Sequence, residues 1–186
     1  MPSASQEKST TKIAIVTGGS RGLGRSTVLN LAKRGVASIF TYHSNRTEAD
    51  KVVSMVAEGG GKAVALQLDT GNVSTFDDFI SRVREAVDDL GASNFDYLVN
   101  NAGISHHNSF ARTTEAELDS LYSVNFKGVF FLTQKLLPLL HDGGSIVNIS
   151  TGPPRQNRCR SDRNNNPGGA GRTNWPDTDR LSRIER

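Results

Sequence analysis

The sequence predicts an α/β fold, a doubly wound parallel sheet with helices on both faces. Two observations predict it: short apolar runs alternate with amphipathic stretches, and a glycine-rich loop joins the first run to the first amphipathic stretch. Alternating strands and helices form parallel sheets through right-handed crossovers. Five strands in this pattern predict a sheet of order 3-2-1-4-5, which lacks the further strands of a complete doubly wound sheet.

Each element follows from its pattern. Short apolar runs predict strands over residues 12–17, 38–42, 63–68, 95–99 and 145–149. Apolar residues at helical spacing predict helices over residues 22–35, 47–58, 76–90 and most of 115–140. The helix at 76–90 is the clearest, because its apolar residues form a single stripe.

The chain divides into three parts by composition. Residues 1–11 are polar and without the apolar core of a signal peptide, and residues 12–152 carry the α/β pattern. Residues 153–186 hold four of the six prolines and show neither helical nor strand periodicity, so we expect a disordered tail.

No apolar run is long enough to span a membrane, and the single cysteine fits a reducing compartment. We therefore expect a cytoplasmic protein.

The net charge of +3 belongs to the tail. Residues 153–186 contain eight Arg, no Lys and four acidic residues, whereas the rest has 14 basic and 15 acidic residues. The body is thus nearly neutral, which argues against a nucleic-acid partner. One cysteine and scattered histidines show no metal-ligand spacing.

The glycine-rich loop after the first strand predicts a phosphate site. Glycines permit a tight turn, and the free N–H groups and dipole of the following helix favour an anion such as a pyrophosphate. The residues predicted to contact it are Gly18, Ser20, Arg21, Gly22, Leu23 and Gly24. An ordinary strand–helix turn is the alternative, and the absence of a Gly-Lys-Ser/Thr sequence argues against a triphosphate loop.

Two further signals follow later strands. Asp69 comes directly after the third strand, where it can accept a hydrogen bond from a ligand amine or simply cap a turn. Asn100, Asn101, Ala102 and Gly103 follow the fourth strand, where an ordinary turn is the alternative.

These motifs resemble those of the short-chain dehydrogenase/reductase family, in order and spacing. The resemblance rests on TGGSRGLG (17–24), LDT (68–70), NNAG (100–103) and VNFKG (124–128), and the whole stretch 12–151 is similar to the 3-oxoacyl-carrier-protein reductase type. It implies a Rossmann-type fold and a nicotinamide cofactor. It also implies that the glycine loop binds pyrophosphate, that Asp69 contacts adenine, and that Asn101, Ala102 and Gly103 lie beside the cofactor.

The loop after the second strand favours NADP over NAD. A carboxylate there would bind the ribose 2′-OH of NAD and repel a 2′-phosphate. Instead the strand runs into Ser44, Asn45 and Arg46, with no acid before Glu48. Arg21 and Arg46 can pair with phosphate oxygens. A solvated helix-start Arg46 is the alternative.

The resemblance also implies catalytic positions. In the family, an Asn in the long helix and a Ser just past the fifth strand assist a Tyr-x-x-x-Lys pair in carbonyl reduction or alcohol oxidation. The Asn matches Asn125, and the Ser matches Thr151 with Ser150 beside it. For Ser150 and Thr151, a simple strand-end cap is the alternative. Lys127 matches a position near the cofactor, or is a helix-surface lysine.

The Tyr-x-x-x-Lys pair is absent from the sequence. The tyrosines are Tyr42, Tyr97 and Tyr122, and the residues four positions later are Arg, Asn and Phe. We expect a product that is truncated, frame-shifted or read through a retained intron after Gly152, which translation of the other two frames would test. A natural, divergent tail is the alternative. Val129, Phe130, Phe131 and Leu136 should then be exposed, which puts a family-type homo-oligomer in doubt and predicts aggregation.

The sequence therefore predicts an NADP-dependent oxidoreductase of small carbonyl or alcohol substrates, impaired by the missing pair. A catalytically inactive nucleotide-binding fragment, or a non-functional product, is the alternative. Turnover of NADPH with a ketone would discriminate between them. A methyltransferase with a similar sheet is a third reading, against which the NNAG motif argues.

Overall fold

The computed structural model describes residues 11–106 and 108–150. Within them the strands are β1 (Ile13–Val16), β2 (Ala37–Tyr42), β3 (Ala63–Gln67), β4 (Phe95–Asn100) and β5 (Leu140–Asn148). All neighbouring strands are parallel, in the order β3-β2-β1-β4-β5. The predicted fold class and strand order are confirmed. The tail at 153–186 lies outside the described residues.

The helices of the described residues are α1 (Gly22–Ala32), α2 (Arg46–Glu58), α3 (Phe76–Asp89), α4 (Glu115–Tyr122) and α5 (Val129–Leu136). The first helix ends three residues before the predicted Gly35. There the N–H of Val36 donates to the carbonyl of Leu31 at 3.1 Å, and that of Gly35 to the carbonyl of Ala32 at 2.9 Å. Gly35 has φ +75°. This pairing closes the helix with a left-handed glycine.

The long helix predicted over 115–140 is broken. A capping box starts α4, in which Thr114 and Glu117 each accept a hydrogen bond from the main-chain N–H of the other. A π-helical segment, Ser123–Gly128, separates α4 from α5, and a 3-10 turn, Leu137–Leu139, follows. Strand β5 then begins at Leu140, five residues before its predicted start, with a register shift opposite β4.

The core has two parts, one on each face of the sheet. Successive side chains along a central strand point to opposite faces and so belong to different parts. Ile15 and Ile39 belong to the part packed against α3 and α5, whereas the next residue in each strand belongs to the part packed against α1 and α2. Burial of each large apolar side chain stabilises the fold by about 1.5–3 kcal/mol.

Four apolar residues of the long helix were expected to be exposed, and this prediction is correct for Phe130 and wrong for Leu136. The side chain of Phe130 is 57% exposed, whereas Leu136 is fully buried in the core. Val129 and Phe131 are half-buried. Leu136 lies four residues after the buried Leu132, so both face the sheet while Phe130 faces away from it.

No helix within the described ranges has the length and hydropathy that a bilayer crossing requires.

Candidate cofactor site

The loop between β1 and α1 has the backbone that the phosphate-site prediction requires. Gly18 and Gly22 have φ of +69° and +55°, a region that residues with a Cβ rarely adopt. Gly24 is buried, and a Cβ there would collide with the carbonyl of Gly18. Arg21 is the N-cap of α1, and its side chain makes no capping hydrogen bond. The first N–H groups of α1 are therefore available to an anion.

Three strand ends hold this loop in place. The Thr17 hydroxyl accepts hydrogen bonds from the N–H groups of Asn101 and Ala102, both at 2.9 Å. The Asn101 side-chain amide donates to the carbonyls of Thr17 at 2.9 Å and Gly18 at 3.1 Å. From β2, the Thr41 hydroxyl accepts from the Gly18 N–H at 3.0 Å. The Asn101 amide thus supports the loop rather than pointing an open donor into the cleft.

Asp69 has one carboxylate oxygen in a turn and one facing outward. Its Oδ1 accepts a hydrogen bond from the N–H of Gly71 at 2.9 Å. Its Oδ2 lies 3.8 Å from Nε2 of His43, and the side chain is half exposed. Asp69 therefore both closes the loop after β3, as the turn alternative requires, and keeps an oxygen free for a ligand amine.

A cleft of about 880 Å³ lies above these loops, within the usual range for a small-molecule or cofactor site. Most of the predicted cofactor contacts line it. They are Gly18, Ser20, Arg21, Gly22, Leu23, Ser44, Asn45, Asp69, Asn101, Ala102 and Gly103.

Three predicted contacts lie elsewhere. Gly24 lies beneath the loop, where its missing Cβ permits close packing. Arg46 is mostly exposed, with its Nε 3.6 Å from Oδ2 of Asp50, and does not line the cleft. Lys127 is exposed within the π-helical segment and does not line the cleft either.

The cleft also contains residues that the sequence analysis did not select. They are Tyr42, His43, Glu48, Thr70, Gly71, Asn72, Ile104, Ser120, Ser123 and Val124. His43 and Glu48 lie next to the predicted cofactor contacts after β2, so their positions in the sequence could have indicated that they line the cleft. Val124 begins the VNFKG motif, which was therefore a signal for its position. Ser120 and Ser123 reach the cleft because α4 and the π-helical segment pack beside it, and no local pattern indicates that.

Glu48 is paired with two cations. Its Oε1 accepts a hydrogen bond from Nζ of Lys51 at 2.7 Å, and its Oε2 lies 4.0 Å from Nη1 of Arg25. The hydrogen bond and charge of Lys51 hold the pKa of Glu48 below its usual value, and Arg25 adds to this effect. The carboxylate is therefore ionised at neutral pH.

Two of the predicted catalytic residues, Asn125 and Ser150, do not line the cleft. The side-chain amide of Asn125 donates to the Ile104 carbonyl at 2.8 Å, and its oxygen accepts from the Ile104 N–H at 2.9 Å. Ser150 is exposed beyond the end of β5, where the N–H of Ile149 donates to the Asn100 carbonyl at 2.9 Å. Thr151 lies outside the described residues.

The fold is that of a Rossmann-type α/β domain, with the glycine loop after β1 and the cleft at the carboxyl edge of the sheet. A family model described as short chain dehydrogenase matches residues 12–157. The chain belongs to the short-chain dehydrogenase family.

Individual relatives agree with this assignment. The chain is 38% identical over 143 residues to the 3-oxoacyl-[acyl-carrier-protein] reductase FabG of Staphylococcus aureus, covering 76% of this chain and 56% of that protein. It is 39% identical over 140 residues to an uncharacterized oxidoreductase of Methylorubrum extorquens, covering 75% and 54%. The chain thus spans little more than half the length of these curated relatives.

Solved structures are similar over the same part. A short chain dehydrogenase from Burkholderia cenocepacia in complex with NADP matches with a TM-score of 0.67 and 35% identity, covering 74% of this chain and 54% of that one. The reductase LugOII matches with a TM-score of 0.72 and 34% identity, covering 76% and 60%.

Proposed function

We propose that the described residues bind NADP and that the protein is an oxidoreductase of small carbonyl or alcohol substrates. The observation that carries this proposal is the cleft, in which the glycine loop, the loop after β2 and Asp69 converge. The cofactor, when bound, supplies or accepts a hydride. Membership of the family supports the reaction class.

The preference for NADP rests on the hydrogen-bond donors around the end of β2. Arg21 from the glycine loop and His43, Ser44 and Asn45 after β2 line the cleft and offer donors to phosphate oxygens. None of these side chains is acidic, so nothing between β2 and α2 mimics the carboxylate that binds a ribose 2′-OH. The NADP complex of the Burkholderia cenocepacia dehydrogenase is consistent with this preference.

We further propose that catalysis by this chain is impaired. The sequence has no Tyr-x-x-x-Lys pair, and a general acid typically contributes about 10²–10⁴-fold in rate. Asn125 holds the main chain of Ile104 with both ends of its amide, so it acts as a support. Ser150 and Thr151 keep a hydroxyl for orienting a substrate oxygen.

A second candidate is a nucleotide-binding chain with no turnover. The absence of the Tyr-x-x-x-Lys pair favours it, because the cleft residues bind a cofactor without needing a proton donor. The two candidates differ only in whether bound NADPH is consumed.

Two measurements on the full chain test these proposals. Fluorescence titration should give tighter binding of NADPH than of NADH, and equal affinities would contradict the proposed NADP preference. NADPH oxidation with a simple ketone should be at least about 100-fold slower than in a family member that has the pair. A rate equal to that of such a member would contradict impairment, and complete absence of turnover would favour the second candidate.

The domain boundaries are proposed from composition, with the cofactor domain at 12–152 and a separate tail at 153–186. Limited proteolysis of the full chain, followed by mass spectrometry, should cut first within 1–11 and 153–186. Early cleavage inside 12–152 would contradict these boundaries.

A further inference from the structure

Glu48 has a position in the cleft that the proposed NADP preference does not explain. It lies in the first turn of α2, where its N–H donates to Oδ1 of the N-cap Asn45 at 3.1 Å. Its side chain is about one-third exposed and lines the cleft. The carboxylate therefore sits beside the residues proposed to receive a 2′-phosphate.

The strand order indicates which part of a dinucleotide passes Glu48. Pyrophosphate is expected at the glycine loop after β1, and adenine at Asp69 after β3. Strand β2 lies between these two strands in the sheet. The ribose that joins adenine to pyrophosphate must therefore cross the end of β2 and the start of α2, where Glu48 lies.

The charges around Glu48 have opposite effects on a 2′-phosphate. An ionised carboxylate repels a phosphate and can accept a hydrogen bond from a ribose 2′-OH. Lys51 at 2.7 Å and Arg25 at 4.0 Å both pair with this carboxylate and offset its charge. The repulsion is thereby reduced, although a partly exposed pair does not cancel it.

We propose that Glu48 is a specificity-determining residue that lowers the preference of the cleft for NADP over NAD, and that Lys51 and Arg25 limit this effect. The inference rests on the proposed function, since it concerns the discrimination between two forms of that cofactor. It assigns a role to the pair Glu48–Lys51, which otherwise resembles an ordinary ion pair on a helix surface.

The same helix offers a matched control. Asp50 also pairs with a cation, since its Oδ2 lies 3.6 Å from Nε of Arg46, but it does not line the cleft. Glu48→Gln and Asp50→Asn each remove one negative charge from α2, together with two ion pairs at Glu48 and one at Asp50. Both should lower the thermal unfolding temperature only slightly, because ion pairs of partly exposed side chains contribute little to stability.

The experiment measures the affinities of NADPH and NADH for the full chain at neutral pH, by fluorescence titration. Glu48→Gln should raise the ratio of NADPH to NADH affinity about fivefold, and Asp50→Asn should leave it within about twofold. Lys51→Met should lower the ratio about threefold, because it leaves the Glu48 charge less compensated. The effect of Glu48→Gln should shrink between about 0.05 M and about 0.5 M salt, because salt screens exposed charges.

Equal ratios in Glu48→Gln and Asp50→Asn would overturn the inference, as would an effect of Glu48→Gln that is independent of salt. The proposed function would survive either result if the wild-type chain still bound NADPH more tightly than NADH. Failure of the wild-type chain to bind either cofactor would instead contradict the proposed function itself. Should Glu48→Gln fold poorly, Glu48→Ala against Asp50→Ala makes the same comparison.

Discussion

Asn101 and Thr17 are joined by two hydrogen bonds across the sheet. The N–H of Asn101 donates to the Thr17 hydroxyl and its side-chain amide donates to the Thr17 carbonyl, both at 2.9 Å. The same amide reaches the carbonyl of Gly18 at 3.1 Å. The glycine loop after β1 therefore depends for its shape on a residue at the end of β4.

Replacing Asn101 with Ala should weaken cofactor binding by releasing the glycine loop that its side-chain amide holds. Two carbonyls lose their donor, so we expect a loss of about 1–3 kcal/mol in the free energy of unfolding. The freed loop should bind NADPH about tenfold more weakly. Denaturant unfolding and NADPH titration measure the two effects. Asn30→Ala, on the exposed surface of α1, is the control, and equal NADPH affinities in the two variants would contradict the prediction.

Gly24→Ala should abolish tight NADPH binding. Its added methyl group would meet the Gly18 carbonyl and approach the Asn101 amide to 2.6 Å, so the loop must move. Gly59→Ala is a suitable control, because a Cβ there has its nearest neighbour at an ordinary 3.5 Å and φ is −82°. NADPH affinity should fall more than about tenfold in Gly24→Ala and stay unchanged in Gly59→Ala. Normal binding by Gly24→Ala would show that the loop tolerates the displacement.

The capping box of α4 should make stability depend on pH. The N–H of Thr114 holds the pKa of Glu117 below its usual value, and the Thr114 hydroxyl and Asn108 amide assist. A carboxyl whose pKa is lower in the folded state stabilises the fold above its unfolded pKa of about 4.3 and loses that contribution as the pH falls. Glu117→Gln should therefore be less stable than wild type in urea at neutral pH, and the difference should shrink as the pH falls below about 4.3.

Thr114→Ala is the companion variant for the capping box, because it removes the hydroxyl but keeps the main-chain N–H that contributes most to the shift. It should retain most of the pH dependence. A difference between Glu117→Gln and wild type that stayed constant as the pH fell below about 4.3 would assign the effect to helix propensity instead of charge.

The exposed apolar stripe of α4 and α5 should promote self-association. Leu118, Tyr122, Phe126 and Phe130 follow at four-residue spacing, and each is between 55% and 62% exposed. The double substitution Phe126→Gln and Phe130→Gln should lower light scattering at high protein concentration, since it interrupts the patch. Met55→Gln removes a single exposed apolar side chain from α2 and should change nothing. Equal scattering by both variants would exclude the stripe as the cause.

Much of the cofactor site could be predicted from the sequence, because its residues follow strands. The glycine loop, Asp69 and Asn101 each come directly after an apolar run, and the carboxyl ends of parallel strands meet at one edge of the sheet. Local order along the chain was then enough to place them together. The same reasoning does not reach Ser120 or Ser123, which line the cleft only because α4 and the π-helical segment pack beside it.

The error at Leu136 has a geometric cause. Leu136 was expected to be exposed together with Phe130, because the helix that should cover them is missing from the sequence. Leu136 instead lies on the same face of α5 as Leu132, and that face packs on the sheet core. Only the packing of α5 on the sheet separates the face that is buried there from the face that a further helix would cover.

By itself, the sequence determined the strand order, the glycine loop between β1 and α1 and the family, since each depends on residue types at short spacing. The tertiary structure decided which hydrogen bonds and ion pairs the predicted site residues make. Asn101 holds the loop, Asn125 holds the main chain of Ile104, and Arg46 pairs with Asp50 outside the cleft. Packing determines which residues distant in the chain come within hydrogen-bond distance, and a local sequence pattern does not contain that information.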